Sequence, residues 1–319
     1  MKAVRPTSPT LAMRSVHVVY PDGARAARDI HLEVARGEVV ALAGESGCGK
    51  TTIARAILGL LPLGSQVTGS IRIGDTEVVG ASRRILRRLR GRVVGYVAQD
   101  PYAACDPLQR VGSHVAEAWH AHDDTPPAGE VARRLGALGI ADPARAARRY
   151  PHEWSGGMLQ RATIAAASAH DPPLVIADEP TTALDAELAD DTLQVLRSTG
   201  AAILLVSHDL GLVRSHADQV AVCYAGEIVE VGATDRVLDR PRHPYTRALL
   251  DALPRPGHGL PTPLPGTPPS PHADHAGCPF AARCPERWEA CDRTRPVPVD
   301  GVRCLLGAEG AVQAQRGSS

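Results

Sequence analysis

Lysine is nearly missing from this 319-residue chain: of 35 basic residues only Lys2 and Lys50 are lysines, and the others are arginine. Where arginine is the rule, a lysine stands for its own geometry, a compact point charge in place of a planar fork. Aromatics make up only 3%, with a single Phe. The 35 acidic residues cancel the 35 basic ones, so no global field steers the chain toward nucleic acid or an anionic membrane surface. No run of 18 apolar residues occurs, and the opening MKAVRPTSPTLAMRSV lacks the apolar stretch of a signal peptide. The expectation is a soluble, cytosolic chain that meets a membrane only through a partner. Cysteine is scarce until the end, with three residues before position 277 and four within 277–304.

With 44% apolar residues a real core is available, in one large domain or one domain with an appendage. Short β-branched runs predict strands at 16–20, 30–34, 39–43, 71–73, 93–98, 174–177, 202–206, 219–223 and 227–231. Helical periodicity falls at about 50–60, 83–90, 111–120, 129–139, 158–169, 186–198 and 209–216. Strands alternating with helices predict an α/β core with a largely parallel sheet. The strandless stretch 100–170 reads as a helical insertion within a domain spanning 1–253. Residues 254–271 then hold eight prolines, so 254–276 reads as an extended linker. A Cys-rich segment at 277–306 follows, and 307–319 is expected to be disordered.

The strand VVALA runs into GESGCGKTT, residues 44–52. This is the G-x-x-x-x-G-K-T phosphate loop, in the strand-then-helix context it requires. Its backbone N–H groups converge on phosphate oxygens, and the helix start adds partial positive charge. Lys50 is placed to reach the β- and γ-phosphates of ATP, and Thr51 to hold Mg²⁺. Downstream, PLVIADEP sets Asp178 and Glu179 at the end of an apolar strand, one to orient the Mg²⁺ shell and one to polarise an in-line water. Between them WSGGMLQR opens a helix at Ser155-Gly156-Gly157, which makes a second anion-binding terminus.

Together these motifs resemble the ATP-binding cassette (ABC) transporter ATPases: GESGCGKTT, then VAQDP, WSGGMLQR, ADEP, TALD and SHD, in the family's order across residues 44–209. The resemblance implies a P-loop ABC ATPase core with an antiparallel β subdomain and a helical subdomain bearing WSGG. It also implies head-to-tail pairing of two cassettes, with each ATP held between the phosphate loop of one chain and the WSGG motif of the other. Carried over, Gly44, Ser46, Gly47, Cys48, Gly49, Lys50, Thr51 and Thr52 would cradle phosphate. Gln99 would sense the γ-phosphate, Mg²⁺ and water, Glu179 would be the catalytic carboxylate, and His208 would contact the γ-phosphate. Ser155, Gly157 and Asp185 would serve the dimer seam and the partner's nucleotide, and Tyr20 would stack on adenine.

A narrower likeness lies in YPHEWSGGMLQR, in YAGEIVEVGATDRVLDRPRHPYTRALLDALP and in LPGTPPSP, which look like the oligopeptide/dipeptide/nickel importer ATPases. This implies a related or identical second ATPase, two membrane permeases and an extracytoplasmic substrate-binding protein, with the chain peripheral to the cytoplasmic face of the membrane. Peptides are the first cargo expected; nickel or another small solute is the alternative. Trp154 and DPYAACDPLQR depart from the family's usual residues. The arginine-rich run SRRILRRLRGR at 82–92 supports the rival of a nucleic-acid-acting ABC ATPase. A solvated or intrachain-paired surface is favoured for that run, and no nucleic acid is expected as a partner.

The terminal thiols follow C-x5-C-x6-C-x12-C at Cys278, Cys284, Cys291 and Cys304. A cytosolic setting disfavours disulfides. Four thiolates suit zinc or an iron–sulfur cluster. The wide loops and two Cys-Pro steps, together with the family likeness, favour [4Fe–4S] over zinc. His272 and His275 could complete a mixed zinc site, but their place before the first Cys in a Pro-rich stretch favours solvated side chains. Phe280 is expected to pack over the cluster, and so poor a segment in apolar groups needs a staple to fold.

Overall fold

The computed structural model describes residues 8–182, 184–253 and 263–306. Two sheets form the body. One is antiparallel, with β1 (Leu11–Val19), β2 (Arg25–Val34), β4 (Gln66–Ile73) and β5 (Thr76–Glu77) in the order β2-β1-β4-β5. The other runs β10-β9-β3-β8-β7-β6, from β3 (Val39–Ala43), β6 (Val94–Val97), β7 (Leu174–Asp178), β8 (Ala202–Val206), β9 (Gln219–Tyr224) and β10 (Glu227–Ala233). All its pairs are parallel except β9 with β10.

The central strands β3, β7 and β8 are buried at every residue, as their unbroken apolar runs require of a sheet covered on both faces. Their alternate side chains divide between two cores. Val39, Ala41, Val175 and Leu205 face a cluster with the helices, while Val40, Leu42, Ile176 and Leu204 face the antiparallel sheet.

The helices are α1 (Lys50–Ile57), α2 (Arg83–Leu89), α3 (Val111–His120), α4 (Glu130–Ala137), α5 (Pro143–Ala146), α6 (Gly156–Ala167), α7 (Ala186–Ser198), α8 (Leu210–His216), α9 (Thr234–Asp239), α10 (Pro244–Asp251) and α11 (Ala290–Arg293). The expected strands and helices appear with shifted ends. β1 and β2 begin five residues earlier than the β-branched runs suggest, because Leu11, Met13 and Ala27 continue the inward alternation without β-branching. Helices α9 and α10 lack a counterpart in the sequence reading. α10 is started by Pro244 at its first turn and by His243, whose side chain accepts from the Tyr245 N–H.

Part of the arginine-rich run pairs within the chain. Arg90 donates to the carbonyls of Leu58 and Gly59, each at 2.8 Å, and Arg87 to that of Ala121 at 3.1 Å. Trp154 is buried in the helical core.

One expectation for the C-terminal part needs correction. The described portion of the proline stretch is no free linker: the Arg25 N–H donates to the Pro271 carbonyl at 2.9 Å, and Asp274 pairs with Arg25 and Arg28. Proline's fixed φ leaves such a strand little entropy to lose on docking. Phe280 packs on Tyr224 and Tyr245, at ring separations of 5.3 and 5.4 Å, so it enters the cassette core and joins the two parts of the chain. Burying such a ring is worth about 1.5–3 kcal/mol. The remainder of the expected linker, 254–262, and the tail 307–319 lie outside the described residues.

Candidate active site

The carboxyl ends of β3, β6, β7 and β8 converge on one edge of the parallel sheet, where α/β folds place their ligand crevices. β3 runs into Gly44. A side chain there is impossible: a Cβ would lie 2.2 Å from the Cys223 carbonyl oxygen. The loop then turns through Gly47 and Gly49, both at positive φ, into α1. Lys50, the first residue of that helix, is 5% exposed and donates from Nζ to the carbonyls of Gly44 and Glu45 at 2.9 and 3.0 Å. Its compact ammonium fits where a guanidinium would not.

Thr51 donates from Oγ1 to Asp178 at 3.3 Å, and the Tyr96 hydroxyl donates to the other Asp178 oxygen at 3.2 Å. Burial raises the Asp178 pKa above the usual carboxylate range, and the hydrogen bonds from Tyr96 and Thr51 oppose that rise. The next residue, Glu179, has φ 48°, a left-handed conformation rare for a side chain of this size. Its Oε2 accepts from Gln99 Nε2 at 3.1 Å and from Thr182 Oγ1 at 3.0 Å, and lies 3.2 Å from His208 Nδ1.

A cavity of about 470 Å³ opens over the loop, lined among others by Tyr20, Lys50, Thr51, Gln99 and Glu179. Tyr20 is half-buried, with its hydroxyl 2.8 Å from Thr52 Oγ1. The Cys48 thiol lies 3.9 Å from Lys50 Nζ, and hydrogen bonding with Cys223, aided by Lys50, draws its pKa down. Ser46, Gly47, Gly49 and Thr52 also line the cavity.

Ser155, Gly157 and Asp185 do not. Ser155 caps α6 by accepting from the Met158 N–H, and Asp185 caps α7 by accepting from the Leu188 N–H. Gly157 is tight against that second helix, since a Cβ would meet Leu188 Cδ2 at 2.2 Å. Within one chain, therefore, the WSGG turn and the phosphate loop do not share a cavity.

The sequence reading missed what closes the cavity's far side. Pro268, Pro269, Pro271, His275 and Arg295 form that wall, with Arg28 of β2 beside them. Tyr96 was also missed, because no motif marks it and only the pairing of β6 with β7 brings its hydroxyl to Asp178.

Cys278, Cys284, Cys291 and Cys304 form no disulfide among the described residues, and Cys291 is buried. Burial, with smaller contributions from nearby Cys291, Cys304 and Cys284, pushes the Cys278 pKa up to about 12. Thiolate chemistry suits a soft metal. Even so, among the described residues no group of three or more His, Cys, Asp or Glu side chains has an arrangement that would hold a metal ion. His272 is exposed, with Nε2 3.9 Å from Asp22.

A mixed, mostly parallel sheet with a flanking antiparallel one, carrying a phosphate loop and a carboxylate pair at the strand ends, defines an ABC-type ATPase fold. The family described as ABC transporter matches residues 27–182, and that described as oligopeptide/dipeptide transporter, C-terminal region, matches residues 229–291. The chain belongs to the ATP-binding proteins of the oligopeptide and dipeptide ABC transporters.

Among its relatives, the dipeptide transport ATP-binding protein DppD of Bacillus subtilis is 40% identical over 301 residues, 90% of each chain. The oligopeptide transport ATP-binding protein OppD of Salmonella typhimurium is 36% identical over 309 residues, 93% of this chain and 92% of that one. OppD of Mycobacterium bovis is 43% identical over 310 residues, 92% of this chain, which spans about half (50%) of that relative's length. Of solved structures, cbiO1 from Clostridium perfringens, part of the ABC transporter complex cbiONQ, aligns with a TM-score of 0.63 and 25% identity over 73% of this chain and 92% of that one. Among the described residues no helix is long and apolar enough to cross a membrane.

Proposed function

We propose that this chain is the ATP-hydrolysing subunit of a peptide importer, working as one of two paired cassettes on the cytoplasmic face of a membrane. The observation that carries the reading is the bracketing of Glu179 by Gln99 and His208 beside a cavity that also holds Lys50 and Thr51. ATP would enter with its phosphates on the loop N–H groups and its adenine toward Tyr20. Thr51 and Asp178 would hold the Mg²⁺, which supplies charge neutralisation on the β- and γ-phosphates. Glu179 would orient and polarise the attacking water, His208 would meet the γ-phosphate, and Gln99 would report the site's state to the partner that docks nearby.

Ser155, Gly157 and Asp185 stand away from their own chain's cavity, which supports a role at the ATP of a second cassette. That cassette would be a related chain or a copy of this one. Exposed Tyr102 and Leu108, in the loop just after Gln99, supply an apolar surface suited to one of two permease subunits. The names of the relatives support peptides as cargo, delivered by an extracytoplasmic binding protein. We also propose that Cys278, Cys284, Cys291 and Cys304 take a [4Fe–4S] cluster, with Zn²⁺ as the alternative. The occurrence of four cysteines within residues 277–304 supports this.

An affinity pull-down of the tagged chain from solubilised membranes tests the assignment. Recovery of two permeases and a second cassette, with ATP turnover in the eluate, is the expected result. Recovery of nucleic acid without permeases would overturn it.

A further inference from the structure

Glu45 is a position that the phosphate-loop pattern leaves free, yet it is held at three points. Both terminal nitrogens of Arg283 grip its carboxylate, at 2.8 and 3.0 Å. Its backbone N–H donates to the Tyr245 hydroxyl at 3.0 Å, and its carbonyl accepts from Lys50 Nζ at 3.0 Å. Arg283 comes from the far end of the chain, in the single turn Ala281–Arg283 between Cys278 and Cys284. Its side chain is 4% exposed. Nε donates to the Pro265 carbonyl at 2.7 Å, Nη1 to the Tyr224 hydroxyl at 3.3 Å, and the guanidinium lies over the Tyr224 ring at 5.6 Å.

We propose that Arg283 is a positioning residue for the ATP site: through Glu45 it fixes the carbonyl that orients Lys50, and so makes nucleotide affinity depend on the Cys-bearing segment. The proposal rests on ATP use by this chain. A buried ion pair is a weak stabiliser, because desolvation offsets most of its attraction, but a two-pronged guanidinium–carboxylate contact is strongly directional. Two other ties of the segment act away from the loop. Arg303 reaches Asp29 at 2.9 Å and Arg295 reaches Glu227 at 2.7 Å, both on the β2 and β10 side and not on the phosphate loop. They hold the segment without orienting Lys50, which provides an internal control.

The test uses the full chain in four forms: wild type, Arg283→Lys, Glu45→Gln and the combined variant, with Asp29→Asn as the control. Asn tolerates the positive φ of Asp29, so that change loosens the segment without straining the strand. KM and kcat for ATP, the Kd of a fluorescent ATP analogue and the thermal midpoint are measured on each.

Arg283→Lys and Glu45→Gln are expected to raise KM and Kd roughly tenfold, below the roughly hundredfold that a 1 Å misplacement of a site can cost, with a much smaller change in kcat. The combined variant should be no weaker than either single one, because both remove the same restraint. Asp29→Asn should lower the thermal midpoint and leave KM unchanged. A KM within about twofold of wild type in both single variants, well inside the loss expected of a misplaced site, would overturn the proposal. So would an Asp29→Asn KM that rises as much as theirs. Should Arg283→Lys not fold, Glu45→Gln decides. A wild-type chain that binds no ATP would remove the ATPase reading itself, an outcome distinct from normal binding that ignores Arg283.

Discussion

Gln99 and Glu179, 80 residues apart in sequence, meet at 3.1 Å. They do so because β6, β7 and β8 are adjacent in the parallel sheet. Glu179 ends the middle strand of the three, so the loops of its two neighbours deliver Gln99 on one side and His208 on the other. A carboxylate anchored by three partners is aimed before substrate arrives, which spares reorganisation at the moment of reaction.

Glu179→Gln keeps the shape and hydrogen bonds of that position and removes its basicity. Steady-state ATP turnover is expected to fall roughly 10²–10⁴-fold, the usual worth of a general base, with ATP binding retained. Phosphate release and nucleotide binding, measured side by side, check this. Light scattering of the variant saturated with ATP should also show the paired cassette; a permanently single chain would count against the two-cassette reading.

Gly157→Ala separates packing from function. The added methyl collides with Leu188, and overpacking of this kind costs about 1–3 kcal/mol. Leu188→Ala in the same chain should restore the urea midpoint. If turnover remains low once stability is back, the Gly157 backbone serves nucleotide directly; if it recovers, the glycine is there for α7 alone.

Acid should weaken the fold through His243. This residue is 1% exposed, and burial lowers its pKa to about 3. The unfolded chain takes up the proton near the ordinary value of about 6.5, so between these limits the unfolded state binds more protons and stability falls as pH falls. At pH 5 the loss is about 2 kcal/mol, and none accrues above about pH 7. His243→Asn keeps an oxygen to cap α10 and should lose less stability between pH 7 and 5. Urea unfolding of both proteins at the two pH values measures the difference.

Protein purified without oxygen should carry iron and acid-labile sulfide and absorb in the visible. Cys284→Ser should lose both and melt earlier. Zinc in a colourless wild-type protein would select the alternative metal, and absence of any metal would remove the proposal.

The phosphate loop, the carboxylate pair and the strand–helix alternation are local patterns, so the residues themselves were enough to place Lys50 and Thr51 at a helix start and Asp178 and Glu179 at a strand end. The proline stretch was misjudged for the same reason. Composition reports how stiff a segment is but not which surface it lies on, and only the fold sets Pro271 against Arg25 and Phe280 between Tyr224 and Tyr245.

Sequence by itself therefore determined the chemistry: a nucleotide site on an α/β cassette and a cluster of thiols at the end. Tertiary structure alone decided which strands stand beside β7, and hence what brackets Glu179. It also decided that Arg283 reaches Glu45 across 238 positions. Periodicity encodes the face a residue presents within its own element. The pairing of distant elements depends on strand order and on how whole faces fit, and no window along the chain contains that information.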